Sequence, residues 1–585
     1  MLRYAAVLVL LLLTSACQHT SPGEFQNISD EFVYTTLSFS PVAATGTGLH
    51  EYKGQHLDDL LDDLSPAGLE RQRQFYARFR QRLSALASGS LSAEDRADLS
   101  ILQDQIGLAE LDLNEVHSHL HNPTIYVELL GNAFFNPDVL EYAPKPARLR
   151  NVISRLQKTP AFLEQARGNL ESAPEIWTKV AIEENEGNLA LVDTTIRAEI
   201  PADLRADYDA AAAPAIEAIR KFQIFLKDDL MNRNDADWRL GRDWYTRKFK
   251  FTLETTATPE TTLSEAEERL TQVRSHMLAL ALPLHRQFYP AHGDHTELTG
   301  EARENAVIGE VLGKIAERHA TPESYMDEAR GDLNEARAFV QAKHLLTLPS
   351  RSNLQVIPTP EFMRGIYSVG GFSPAPALEP QLGAFYWVTP IPPDWPKERA
   401  ESKLREYNFY KLKLLTIHEA IPGHYVQGEF ANGVQPKSRR LLRSIFGNGP
   451  YIEGWAQYAT QMMLDEGLLN HSPELALTFA KEELRVLANA IIDIRLQTLN
   501  MSEQQALDLM EKQTFQEKEE ATGKLQRAQL SSCQLPMYFL GWRGWLAVRE
   551  EFRKARGSSY QLSDFNDRAL RQGAVPLPLL EQLLR

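Results

Sequence analysis

Through most of the first 350 residues, apolar positions recur at three- to four-residue intervals, the spacing of one face of an α-helix. Ser65-Pro66 is a cap followed by a first-turn proline, and the segment it opens runs to about Leu86. Ser92-Ala93-Glu94-Asp95 opens another, with an acidic first turn. Residues 146–157, 160–171, 203–230, 264–287 and 322–346 read as further amphipathic helices, separated by turns with Pro or Gly. Residues 18–60 are mixed in pattern and are expected to form a mobile lead-in. No fixed-period repeat is present.

From about residue 350 the pattern changes. Val356-Ile357-Pro358-Thr359-Pro360 is held extended by its prolines. Ala384-Phe385-Tyr386-Trp387-Val388-Thr389 is aromatic and β-branched between Gly383 and Pro390, a strand signal. Prolines on its flank suit an edge strand. Such an edge can take up an extended peptide as an added strand, and a plain structural hairpin fits the same residues. Pro396 then opens a long helix, with Leu404, Tyr407, Leu412, Leu415 and Ile417 at roughly helical spacing. The expected fold is mainly α, with a small β-sheet near this helix. An N-terminal helical scaffold lobe, 18–350, would precede a site-bearing lobe, 351–585.

Composition narrows the class. Apolar residues make up 43% and charged residues 24%, which are globular values. A chain of 585 residues exceeds one small core, so more than one lobe is expected. The net charge of −16 is spread along the chain, which argues against nucleic acid as a partner. Residues 1–17 form a targeting segment: Arg3, an apolar stretch from Ala5 to Leu13, then Thr14-Ser15-Ala16 before Cys17. A cysteine in that place resembles the lipobox of bacterial lipoproteins, where it is cleaved and acylated. Gln18, in place of an aspartate, then implies the outer membrane, facing the periplasm. Acyl chains on Cys17 would anchor the chain without spanning the bilayer. The other cysteine, Cys533, is expected to be a buried thiol.

The chemistry concentrates where the long helix ends, at His418-Glu419-Ala420-Ile421-Pro422-Gly423-His424. Neutral imidazoles and carboxylates are zinc ligands, and a glutamate beside the first histidine is placed to act as general base. In the usual H-E-x-x-H string the histidines are four apart and only about 40° apart around the helix. Six residues give a rotation about 120° off the face and a rise of about 9 Å, so a straight helix cannot aim both at one ion. Pro422 cannot donate to the His418 carbonyl, Ile421 before it is pushed from helical dihedrals, and Gly423 accepts almost any backbone angle. The helix must therefore break between Ala420 and His424. A third, acidic ligand is expected from another helix. Glu453 is the candidate, in the first turn after the loop Gly447-Asn448-Gly449-Pro450, with Gly454 permitting close helix approach. Three protein ligands leave a fourth position open, as a catalytic zinc requires, with one Zn2+ per chain. His117, His119 and His121 read as a polar helix end, and His292 and His295 as loop residues.

The His418–His424 string, Gln427 and Glu453-Gly454-Trp455-Ala456-Gln457-Tyr458 together resemble the bacterial family filed as domain of unknown function 885. Its members are commonly lipoproteins and are grouped with zincin-like metallopeptidases. Arg405-Glu406-Tyr407-Asn408 extends the likeness, as do Arg527, Gln534, Tyr538 and Gly541 by their spacing, and it covers most of residues 120–570. The resemblance implies a large multi-helix zincin-like architecture, zinc on His418, His424 and Glu453, and Glu419 as the base. It makes Tyr538 a donor to the oxyanion. Arg527, Gln534, Gln427 and Tyr458 become substrate-binding or supporting residues, and Asp493 a residue that steadies a ligand histidine. The chain departs from the family at Ser532-Cys533, where Pro-Gly is usual, and at Gln497, where a histidine is usual. The expected activity is cleavage of peptide substrates. The alternatives are zinc hydrolysis of a non-peptide amide or ester, and an envelope binding or chaperone-like lipoprotein with a vestigial site.

Overall fold

The computed structural model describes residues 22–86, 91–360, 363, 364 and 369–585. The targeting segment and Cys17 lie outside the described residues. The described residues are mainly helical, as the periodicity predicts, with two small sheets.

The stretch expected to be a mobile lead-in is instead helical: α1 (Pro22–Phe39) and α2 (Pro41–Thr47), followed by a short hairpin over 51–56. Phe25, Ile28, Phe32, Val33 and Leu37 bury one face of α1. Phe32 packs on Phe75 and Phe79 in a core of its own. The Thr and Ser residues between these positions weaken helix propensity and hid the period, and burial overrides them.

Four helices, α3 (Thr124–Val139), α4 (Lys145–Asn169), α5 (Glu175–Ala190) and α6 (Arg205–Asp228), surround a second core that includes Tyr126, Leu156 and Phe222. The two helices expected over 146–157 and 160–171 are one, because α4 runs through Pro160. Leu156, Phe162 and Leu163 flank the proline and point into the same core, which outweighs the one lost hydrogen bond.

The largest core joins α7 (Pro259–Phe288), α8 (Gly300–Ile315) and α9 (Tyr325–Lys343) to the C-terminal helices, through residues such as Met277, Val340, Ile417, Trp455 and Trp545. Over it lies a three-stranded sheet: β1 (Leu354–Pro358), β2 (Gly370–Ser373) and β3 (Ala384–Val388), in the order β1-β3-β2. The aromatic strand expected at an edge is therefore central, parallel to β1 and antiparallel to β2. Its prolines lie past its ends and cost it no ladder bonds. The expected long helix from Pro396 is two helices, Lys397–Glu406 and α10 (Phe409–Glu419). Between them Asn408 caps α10, its side chain accepting from the backbone N–H groups of Tyr410 and Lys411. After α10 come α11 (His424–Ala431), α12 (Gly449–Asp465), α13 (Pro473–Thr498), α14 (Lys518–Leu530) and α15 (Pro536–Arg556).

Candidate metal centre

Helix α10 stops at Glu419, and α11 starts at His424. Ala420 leaves helical geometry at φ −118°, ψ −89°, and Gly423 sits at φ −72°, ψ −129°. The Gly423 N–H donates to the Ile417 carbonyl at 3.0 Å, folding the connection tightly back on α10. A Cβ on Gly423 would lie 1.9 Å from the His418 carbonyl oxygen, so no other residue fits this backbone. The break turns His424 beside His418, with ring centroids 4.7 Å apart and planes at 86°.

The third residue comes from α12. Asn448 caps this helix by accepting from the Tyr451 N–H at 2.8 Å, and Pro450 occupies its first turn. The helix thus begins earlier than its loop-like sequence suggested, and Glu453 lies just beyond the first turn. Gly454 sets the depth of α12 against α15: a Cβ there would meet the Gly541 backbone at 2.2 Å, and one on Gly541 would meet the Pro450 carbonyl at 2.0 Å. One Glu453 carboxylate oxygen, Oε2, ends 3.5 Å from His418 Nε2 and 3.4 Å from His424 Nε2. These separations are long for hydrogen bonds. They match the edge of a tetrahedron whose corners lie about 2.1 Å from a central ion, roughly 3.4 Å. Glu453 Oε2 and His424 Nδ1 are buried without a hydrogen-bond partner among the described residues. Donor types, spacing and the orphaned carboxylate oxygen all fit a zinc ion. Burial works against charge on Glu453, but His424 and His418 beside it hold its carboxyl well below the usual range.

Around this triad lies a cleft of about 450 Å³, lined by Glu419, Gln427, Arg527, Gln534 and Tyr538. Its far wall is Gly46 and Thr47 of α2 together with edge strand β2, whose Phe372 ring lies over His424 at 6.3 Å. The Tyr538 ring stacks beside His418 at 6.4 Å, and Arg527 Nη2 donates to its hydroxyl at 3.2 Å. Arg527 Nε also faces Gln534 Oε1 at 3.4 Å. Burial pushes the Tyr538 phenol up to about 12 against the opposing pull of Arg527, so it is a protonated donor at neutral pH.

Two expected site residues are used elsewhere. Asp493 steadies neither histidine; its carboxylate accepts from the Tyr245 hydroxyl at 2.7 Å and from the N–H groups of Cys533 and Leu535. It thereby fixes the turn that carries Gln534 toward the cleft. Tyr458 is a core residue, stacked on Trp545 and donating to Asn566 Oδ1 at 3.0 Å. Gln497, at the family's histidine position, accepts from the Leu240 N–H at 2.8 Å. Cys533 is buried, as expected.

Sequence reasoning missed Lys411, Arg485 and Lys524, which line an inner pocket behind His418 and Glu419, where Lys411 pairs with the buried Glu482 and Arg485 with Glu482 and Glu520. The signal was present in Lys411 and Lys413, charges interleaved with leucines on a helix that buries most of its surface. Nothing in the local sequence pointed to α2 or β2 as the opposite wall.

The fold and the site together define a mainly helical protein in which a broken helix and a facing helix present two histidines and a glutamate in a cleft. The chain belongs to the family described as bacterial protein of unknown function, DUF885, which it matches over residues 41–584. It is similar to a solved structure from Shewanella oneidensis, provisionally described as a lipoprotein of unknown function. That similarity is 28% identity and a TM-score of 0.78, over 96% of this chain and 99% of that one. A second such structure, from Colwellia psychrerythraea, is 17% identical with a TM-score of 0.75, over 96% and 98%, and shows the shared fold. No curated protein matches the chain significantly.

Proposed function

We propose that this protein is a zinc-dependent hydrolase of peptide bonds with a zincin-type site, held at the cell envelope by lipid on Cys17. The observation that carries the reading is the Glu453 oxygen at 3.4 and 3.5 Å from two imidazole nitrogens, with Glu419 adjacent in the same cleft. A zinc ion held by His418, His424 and Glu453 would supply Lewis acidity toward water and a substrate carbonyl. Glu419 takes the proton of the attacking water and returns it to the leaving amine. Tyr538 donates to the oxygen that becomes negative as the carbonyl is attacked, and Arg527 holds the phenol in place. Strand β2 is an edge strand among the described residues and lines the cleft, so an extended peptide can pair with it as a fourth strand. This favours peptides over other amides and esters. The lipoprotein description of the Shewanella structure supports the envelope location.

The test is Glu419→Gln, assayed beside the wild type on a broad peptide library and on a panel of non-peptide amides and esters. The variant should keep stoichiometric zinc and lose hydrolysis by about 10²–10⁴-fold. Turnover of the ester panel alone would favour the non-peptide reading. Wild type and variant equally inert on all substrates would overturn the enzyme reading.

A further inference from the structure

A second group of metal-ligand side chains lies outside the cleft, where α7 turns into α8. His285 stands in the last turn of α7 with its side chain wholly buried. His292 and His295 are in the connecting loop, and Glu310 projects from α8. One ligand atom from each of the four lies within 4.8 Å of all the others. His285 Nε2 is 2.8 Å from one Glu310 oxygen, His295 Nε2 is 3.1 Å from the other, and His292 Nδ1 is 3.9 Å from the first.

The outward nitrogens are held as well. His285 Nδ1 lies 3.3 Å from Asp294 Oδ1, and His295 Nδ1 lies 3.3 Å from Glu297 Oε1. Asp294 is in turn fixed by Arg286, at 2.7 Å from its Nε. A carboxylate on Nδ1 fixes the proton there and aims the Nε2 lone pair inward, the backing that metal-bound histidines generally have. Two of the three histidines carry it, and both direct Nε2 at the same glutamate.

We propose that His285, His292, His295 and Glu310 form a second metal site, for a divalent transition ion of the zinc class. Three imidazoles and one carboxylate suit Zn2+ far better than Mg2+ or Ca2+, which take oxygen ligands. Four protein ligands close a tetrahedral shell, so this ion is structural, in contrast to the three-ligand set at His418. It would tie the end of α7 to α8 across the loop. Without metal, His285 and His295 each sit between two carboxylates. Zn2+ held among the inward nitrogens and one Glu310 oxygen would set the four ligand atoms at the roughly 3.4 Å spacing of a zinc tetrahedron.

The test is zinc stoichiometry on the full chain, stripped with chelator, reloaded with Zn2+ alone and counted by atomic emission. Wild type should hold two equivalents, His424→Ala one, the pair His292→Ala/His295→Ala one and the three changes together none. The pair leaves two protein ligands, one fewer than the cleft set, and neither residue is buried. The pair His295→Ala/Glu310→Gln serves as the second probe and should also hold one. Zinc should raise the melting temperature of His424→Ala and leave that of the triple variant unchanged. One equivalent in wild type that persists in both pairs but vanishes in His424→Ala overturns this site. One equivalent that survives His424→Ala and vanishes in both pairs supports it and overturns the cleft assignment instead.

Discussion

The indole Nε1 of Trp455 donates to the backbone carbonyls of Pro422 and Gly423, at 2.9 and 3.2 Å. Trp455 follows Glu453 by two residues, and Gly423 immediately precedes His424. One buried side chain therefore fixes the backbone of one ligand against that of another. Trp455→Phe keeps most of the packing but strands both carbonyls without their donor. It should cost about 1–3 kcal/mol in urea unfolding, and weaken zinc by about 10–100-fold in chelator competition. Lower stability with unchanged zinc affinity would show that the loop is held by other contacts.

Glycine substitutions should have opposite signs at two positions. At Gly423 a methyl group would strike the His418 carbonyl, so Gly423→Ala must reopen the break that brings the two histidines together. It should lose stoichiometric zinc, and it should unfold at a visibly lower temperature. Gly331 lies exposed in the middle of α9, where an added Cβ meets nothing within 4 Å. Gly331→Ala should leave zinc alone and stabilise the protein by about 0.5–1 kcal/mol.

The break itself was legible because Pro422 and Gly423 act together on the local backbone, whereas the lone Pro160 left α4 unbroken. Asn408 was not read as a cap, because a continuous apolar period across it suggested one helix. Strand order was not legible. Nothing within residues 384–389 says that β1 and β2 pair on either side of β3. Asp493 was expected to steady a ligand histidine, yet its partners, Tyr245 and the 533–535 turn, are brought to it only by the fold. The same holds for His285 and Glu310, which flank the loop histidines at spacings that no motif records.

Glu184 on α5 should make the scaffold sensitive to alkaline pH. It is buried, and neither carboxylate oxygen has a hydrogen-bond partner among the described residues. Burial, with repulsion from Glu128 and Glu183, pushes it up to about 9. The folded chain thus keeps a proton that the unfolded chain releases near the ordinary glutamate range. Between those two values the native state binds more protons, so stability must fall as pH rises. Glu184→Gln has the same shape and no proton to lose. Its stability relative to wild type should climb steadily from about pH 5 to pH 9, reaching a difference on the order of a few kcal/mol, read from urea midpoints across the series. Parallel curves for the two proteins would mean that Glu184 is already ionised in the folded state.

Tyr538→Phe tests the oxyanion role separately from metal binding. The ring stacks beside His418 and would remain, while the hydroxyl that meets Arg527 would go. If the phenol donates only once negative charge has formed, kcat should fall by about 10²–10³-fold with KM nearly unchanged. Zinc content should stay at the wild-type value, since neither histidine nor Glu453 loses a contact. A rise in KM with kcat preserved would place the hydroxyl on bound substrate instead. Loss of zinc would make Tyr538 a support for His418. Arg527→Lys separates these further: it keeps the charge but loses the planar fork that reaches both Tyr538 and Gln534. If Arg527 acts by holding the phenol, its variant should lower kcat in a background carrying Tyr538, and lower it far less once the hydroxyl has been removed.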